Sequence, residues 1–403
     1  MKLIERQFYI SKLINVIGTP DIKVITGVRR SGKSKLLEAF KEYVLNINPK
    51  CNIIHVNFNI KKYEHLKDAD ILYNYISDNY VKSKENFVLI DEVQMCNNFE
   101  KVINWIHAEE KYDIYVTGSN AFLLSSDLAT LFTGRTFEIE VYPFSFKEFC
   151  KYSNYEDIND AFDKYVLEGG MSGSYLYKTT LEKYEYLKNV YTALIIRDIK
   201  QKYKIRNVKI LDELNDFLMD NISNLTSSRS ISKEFAKQNI SKNISDKTIN
   251  NYIKYLCNAF AFYKVRRYDI QGKKYMSSQD KYYLVDQGFK YALIGTKNMN
   301  YGRIYENIVA MELKRRGYEI YVGVLHNKEI DFVAMKKDEK IYIQVSDDIS
   351  HLDTFEREVS PLLKIKDAYP KILLANTKHD TYQYEGVQII NIANWLSEEN
   401  IIN

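Results

Sequence analysis

Gly27-Val28-Arg29-Arg30-Ser31-Gly32-Lys33-Ser34 reads G-x-x-x-x-G-K-S, and its setting decides how the first third of the chain folds. The apolar run Ile22-Lys23-Val24-Ile25 precedes it and the helical pattern Lys35-Leu36-Leu37-Glu38-Ala39-Phe40 follows. Strand, glycine-bounded loop and helix in that order is the context of a phosphate-binding loop. Glycine at 27 and 32 lets the backbone curl so that successive amides, from Gly27 through Val28, Arg29, Arg30, Ser31 and Gly32 to Lys35, face phosphate oxygens. The helix N-terminus adds partial positive charge there. Lys33 is expected to reach the β- and γ-phosphates and the Ser34 hydroxyl to ligate Mg²⁺. A bound nucleotide is the implied ligand.

Working outward, the next decisive stretch is Phe87-Val88-Leu89-Ile90-Asp91-Glu92, an apolar strand delivering two acids to its carboxyl end. Downstream of a phosphate loop this is a Walker B pattern: Asp91 for Mg²⁺ through water, Glu92 as general base for the attacking water. A further strand, Ile114-Tyr115-Val116-Thr117, leads to Gly118-Ser119-Asn120. Ser119 or Asn120 is then either a polar sensor of the γ-phosphate or the N-cap of the helix that follows. Arg135, before the strand Thr136 to Val141, reads either as an arginine finger, in cis or in trans, or as a surface arginine. Alternating strands and helices over this region predict a parallel sheet in a three-layer α/β domain, residues 1–150, with the nucleotide at the strand carboxyl ends.

Composition sets the outer bounds. A chain of 403 residues predicts more than one domain, and 45% hydrophobic residues suffice for packed interiors. No apolar run is long enough to span a membrane, and the early charges of Met1-Lys2-Leu3-Ile4-Glu5-Arg6 argue against a signal peptide. Cys51, Cys96, Cys150 and Cys257 form no C-x-x-C pair, which predicts neither a zinc site nor a disulfide framework and fits a reducing cytoplasm. A net charge of +4 does not announce nucleic acid. The 34 tyrosines and 5 prolines, with abundant lysine and asparagine, suggest an AT-rich coding sequence, so basic and aromatic residues weigh little here.

Residues 151–225 read as a helical lid, with Gly169-Gly170-Met171-Ser172-Gly173 dividing its helices. Within it Arg197-Asp198 is either a lid arginine reaching the nucleotide or a surface ion pair. Residues 226–295 read as helix, turn, longer helix and two-stranded hairpin, the order of a winged helix-turn-helix. Lys247, Asn250, Asn251 and Lys254 would share the exposed face of its second helix, with Arg266, Arg267, Lys273 and Lys274 near the wing. Those residue types suit duplex DNA, while the same fold also serves as a protein interaction module.

Residues 296–403 begin a fresh α/β unit. A helix bearing Glu306, a strand bearing Asp331 and a strand ending Ile343-Gln344-Val345-Ser346 reproduce the layout of PD-(D/E)xK nucleases. Gln344 stands where that layout needs a carboxylate and Ser346 where it needs lysine, so an inactive, restriction-endonuclease-like domain is expected.

Taken in order, the phosphate loop, Asp91-Glu92, Thr117-Gly118-Ser119-Asn120, Gly134-Arg135, Pro143-Phe144-Ser145-Phe146-Lys147-Glu148-Phe149, Arg197-Asp198-Ile199 and Glu329-Ile330-Asp331-Phe332-Val333 resemble one prokaryotic family. That family comprises AAA+-type P-loop ATPases with a C-terminal domain of unknown function that includes a degenerate nuclease-like fold. The resemblance spans essentially the whole chain and implies ATP binding and hydrolysis; with the residues above, the leading reading is a slow Mg²⁺-dependent ATPase that couples nucleotide state to DNA, a partner protein or a second copy. Two other readings stand beside it: a nucleotide-switched regulatory or defence protein with little turnover, and an ATP-fuelled nuclease.

Overall fold

The computed structural model describes residues 5–118, 132, 134–238, 240, 244–296, 299–326 and 328–398. Ser119 and Asn120, with the helix expected after them, lie outside the described residues. The chain divides into two compact units. The first comprises Met1–Pro143, Ala193–Tyr203 and Asn258–Phe260; the second comprises Phe144–Thr192, Lys204–Cys257 and Ala261–Asn403.

The first unit is built on strands β1 (Ile22–Thr26), β2 (Asn52–Asn57), β3 (Asn86–Asp91), β4 (Asp113–Thr117) and β5 (Thr136–Glu140). Their order in the sheet is β2-β3-β4-β1-β5, and every pairing is parallel. Side chains alternate across such a sheet with period two, and both faces are covered. Ile22 and Val24 of β1, Val88 and Ile90 of β3, and Ile114 and Val116 of β4 join one core, with helices α3 (Ala69–Asp78) and α4 (Phe99–Ala108). Ile25, Phe87, Leu89 and Tyr115 face the other way, onto α1 (Gln7–Ile14) and α2 (Lys33–Ile47). Lys23 is the exception in β1: fully buried, it donates to Asp113 Oδ1 at 2.6 Å and so neutralises its charge. The consequence for function is that β1 and β3 end on the same edge of the sheet with one strand between them.

The second unit holds an eight-stranded sheet in the order β12-β13-β11-β10-β9-β8-β6-β7. Its strands are β6 (Phe262–Asp269), β7 (Lys274–Leu284), β8 (Glu319–Leu325), β9 (Lys328–Lys336), β10 (Glu339–Ser346), β11 (Lys371–Ala375), β12 (Tyr382–Tyr384) and β13 (Val387–Asn391). The strands β6 and β7 are the hairpin expected as a wing. The hairpin continues the sheet instead of standing free, because Arg267, Tyr268 and Asp269 pair in parallel with Val322, Gly323 and Val324. The sheet thus runs across residue 295, where a domain boundary was expected. Before the hairpin come α5 (Ser228–Lys237) and α6 (Asp246–Asn258). Ile249, Tyr252, Ile253 and Leu256 are buried on α6, and Lys247, Asn250, Asn251 and Lys254 are all exposed, as helical spacing dictates. After the hairpin, α7 (Tyr301–Arg315) precedes the β8-β9-β10 meander, and α8 (Leu352–Leu363) leads from β10 to β11, which lies parallel to β10.

The segment expected as a lid divides between the units. Its helix Ile158–Glu168 packs within the second unit, where Gln287 Nε2 donates to Tyr165 O at 2.8 Å and Asn391 Nδ2 to Asn159 Oδ1 at 3.1 Å. Only the π-helical stretch Leu194–Gln201 and its neighbours belong to the first unit.

Candidate nucleotide site

At the carboxyl end of β1 the chain turns sharply at Gly27, which has φ +132°. A Cβ there would stand 2.2 Å from Val141 O, so neither the dihedral nor the space admits a side chain. Gly32, at φ +99°, occupies the N-cap of α2, and Leu36 N donates to its carbonyl at 2.9 Å. The loop is therefore aimed at the amino end of a fifteen-residue helix, which favours an anion. Lys33 is buried and its Nζ lies within the loop, 2.8 Å from Gly27 O and 2.9 Å from Val28 O. Burial lowers its pKa, while Glu92, Asp198 and Asp91 act in the opposite sense.

β3 delivers its acids to the same place. Ser34 Oγ donates to Asp91 Oδ1 at 3.0 Å, across 57 residues of sequence. Thr117 Oγ1, at the end of the intervening β4, donates to the same oxygen, and the Glu92 N–H donates to Thr117 Oγ1 at 3.1 Å. Thr117 thus fixes both acids, and the sequence reading passed it over in favour of Ser119 and Asn120. Its signal was available: a polar residue ending an otherwise apolar strand adjacent to the Asp91 strand. Glu92 takes a left-handed backbone, φ +59°, uncommon outside glycine, and Gln94 Nε2 donates to its Oε2. Asp91 is almost fully buried, which raises its pKa against the hydrogen bonds from Thr117 and Ser34. Its Oδ2 is buried without a hydrogen-bond partner. A hydroxyl and an orphaned carboxylate oxygen side by side are hard donors of the kind Mg²⁺ takes, so the residues present fit that ion.

The remaining sequence expectations separate. Val28 is buried, Arg30 is exposed with φ +67°, and Ser31 is buried with its Oγ unpartnered. The Lys35 side chain turns away to pair with Glu38 at 2.6 Å on the surface, leaving only its backbone to the loop. Arg135 is exposed at the amino end of β5, where its carbonyl accepts from Ile22 N at 2.8 Å. The register Ile22↔Thr136 puts it about 16 Å of strand from the phosphate loop. The cis reading of Arg135 is corrected: parallel pairing places it at the wrong end of its own sheet.

Two residues read otherwise from sequence complete the site. Arg6 is 6% exposed; its Nη1 donates to Ser31 O at 2.9 Å and its Nη2 to Tyr142 O at 2.9 Å and Pro143 O at 3.3 Å. It ties the loop to the strand end behind it. In the π-helical stretch Leu194–Gln201, Arg197 is exposed. Asp198 is the buried member, with its Oδ2 4.0 Å from Arg29 Nε. Burial raises its pKa, and Arg29 and Lys33 oppose the rise. A carboxylate held against the cations of a phosphate loop competes with phosphate for them. Asp198→Asn is therefore expected to tighten nucleotide binding by roughly tenfold, about 1.4 kcal/mol, in titrations with a fluorescent ATP analogue. Weaker binding would instead make Asp198 a support for Arg29.

Residues 19–150 match the AAA domain family, and residues 159–300 match a domain of unknown function (DUF8612). A Haemophilus influenzae protein described as uncharacterized is 37% identical over 400 residues, covering 98% of this chain and 98% of its own. The chain belongs to this family of AAA-domain proteins. An uncharacterized Methanocaldococcus jannaschii protein is 29% identical over 407 residues, covering 97% of this chain and 88% of its own. Among solved structures, the Aeropyrum pernix ORC1 protein in complex with DNA aligns at a TM-score of 0.30 and 9% identity, covering 77% of this chain and 93% of that one. AMPPCP-bound DnaA from Aquifex aeolicus aligns at 0.30 and 18%, covering 61% and 85%. Likenesses of that size say nothing of what this chain binds. The AAA domain itself accounts for the parallel sheet and the phosphate loop at the end of β1. Among the described residues no helix is long and apolar enough to cross a membrane.

Proposed function

We propose that this AAA-domain protein hydrolyses ATP slowly to ADP and phosphate and uses the nucleotide state to govern engagement of duplex DNA, with a protein partner or a second copy as the alternative. The observation that carries the proposal is the meeting of Lys33, Ser34, Asp91 and Glu92 at one sheet edge. In this reading the loop amides from Gly27 to Lys35 and the Lys33 ammonium bind the phosphates. Ser34 and Asp91 would hold Mg²⁺, which when bound neutralises charge on the phosphate oxygens. Glu92, oriented through Thr117 and Gln94, takes the proton of the attacking water. Arg135 serves, if anywhere, the nucleotide of a second copy.

Support for DNA is the exposed row Lys247, Asn250, Asn251 and Lys254 along one face of α6, with Arg266, Lys273 and Lys274 exposed on the hairpin. Phosphate release should rise when duplex DNA is added to wild type and stay at background in Lys33→Ala. Replacing Lys247 and Lys254 by alanine should remove the DNA stimulation and lower the salt slope of DNA binding by roughly one to two. Turnover indifferent to DNA in wild type would move the assignment to a protein partner.

A further inference from the structure

A single lysine stands at the centre of the C-terminal acidic cluster. Lys281 lies on β7, is 2% exposed, and sends its Nζ to 2.8 Å from Glu306 Oε1, 2.7 Å from Glu329 Oε1 and 3.6 Å from Asp331 Oδ1. Glu306 comes from α7, while Glu329 and Asp331 come from β9. Tyr283, two residues along β7, donates its hydroxyl to the same Glu306 oxygen at 2.6 Å. Asp331 Oδ2 accepts from Val345 N at 2.9 Å. Glu306 and Asp331 are the two acids that the nuclease layout assigns to a divalent metal, so the ammonium stands where that layout puts its ion.

The neighbouring positions are committed elsewhere. Gln344 Oε1 accepts from Asp331 N at 3.3 Å and its Nε2 donates to Glu358 Oε2 at 2.9 Å. The Ser346 hydroxyl donates to Asp348 O at 2.9 Å. Among the described residues no set of three acids, histidines or cysteines is drawn together as metal ligands. Burial alone would lower the lysine pKa, but Glu306, Asp331 and Glu329 outweigh it and keep the ammonium charged. The ammonium already lies 2.8 Å from Glu306 Oε1 and 3.6 Å from Asp331 Oδ1, so a divalent ion that took both carboxylates would have to displace it.

We propose that Lys281 is the resident cation of this centre, taking the place of the divalent metal, so that the nuclease-like segment binds no metal there and cleaves no nucleic acid. The same ammonium binds three elements to one another. It joins the hairpin strand β7 to α7 and β9, although β6 and β8 separate β7 from β9 in the sheet order. A corollary follows from charge. Without the ammonium, the buried carboxylates Glu306 and Asp331, with the part-exposed Glu329 beside them, are a negative cluster in need of a cation, and a divalent ion can supply it after a small inward movement of the acids.

The test uses full-length protein without nucleotide and Mn²⁺ as the probe, with bound ion counted from the loss of the free Mn²⁺ resonance. Wild type and Asp331→Asn should bind equal amounts of Mn²⁺. Lys281→Met should melt roughly 5 °C or more below wild type, recover with Mn²⁺, and bind one additional ion that Asp331→Asn in the same chain removes. A wild-type Mn²⁺ site lost in Asp331→Asn would overturn the proposal, as would a Lys281→Met protein that melts like wild type. If Lys281→Met does not fold, Lys281→Met/Glu306→Gln, with one acid neutralised, should recover folding. Failure of that variant, too, would overturn the charge argument. None of these outcomes depends on ATP hydrolysis.

Discussion

Glu92→Gln is expected to bind nucleotide at least as tightly as wild type and to slow phosphate release by a factor of about 10² to 10⁴, the range that a positioned general base supplies. The substitution is chosen because the site constrains Glu92 in ways glutamine preserves. Its backbone sits at φ +59°, its N–H donates to Thr117 Oγ1, and its Oε2 accepts from Gln94 Nε2. Glutamine has the same length, keeps an acceptor oxygen for Gln94 and leaves the backbone contact untouched. What is removed is the basicity and the negative charge that acts on Lys33. Binding, measured by titration, should therefore separate from turnover, measured as phosphate released in a single turnover. Retained turnover would remove Glu92 from the chemistry. The same variant also divides the functional readings: a chain that keeps its biological output with unhydrolysed ATP is a nucleotide switch, and one that loses the output needs hydrolysis.

Arg6→Ala should lower unfolding stability by about 3 kcal/mol or more, because hydrogen bonds from a charged donor contribute about 1.5 to 3 kcal/mol each and the carbonyls left behind are buried. The guanidinium reaches Ser31 O, Tyr142 O and Pro143 O, and its Cζ lies 4.4 Å from the Tyr9 ring centroid. Two of those carbonyls belong to the chain behind the phosphate loop and one to the loop itself. Losing the tether should thus weaken nucleotide binding as well as the fold. Arg6→Lys should recover only part of the loss, since an ammonium lacks the planar fork that spans separate acceptors. Denaturant melts of the three proteins, followed by nucleotide titration of those still folded, check both effects. A midpoint for Arg6→Ala unchanged within error would mean that the fork contributes nothing net.

What can be read locally is the loop and Asp91-Glu92, which the fold brings to one end of the sheet. A phosphate loop is specified by about eight consecutive residues, because the glycines, the lysine and the helix start all act on a ligand at one bend of the chain. The β1 and β3 strands are nearly as plain, since burial on both faces leaves apolar runs, unbroken in β3 from Phe87 to Ile90 and interrupted in β1 only by Lys23 before Thr26. Helical spacing likewise foretold which side of α6 would be exposed. Arg6 defeated that kind of reading. In the sequence it is one of several early charges, and its partners lie 25, 136 and 137 residues away. Asp198 was paired by adjacency with Arg197, whereas the π-helical stretch turns one outward and buries the other against Arg29.

The sequence by itself determined the nucleotide-binding chemistry, the AAA-type alternation of strands and helices, and the poor fit of Gln344 and Ser346 to a nuclease centre, because each rests on residue type at short spacing. Only the tertiary structure decided that Arg135 cannot serve its own nucleotide, that Thr117 braces both acids of β3, and that Lys281 fills the acidic centre from a strand far away in sequence. Those outcomes depend on strand order and register, which set the neighbours of a side chain without regard to its place along the chain.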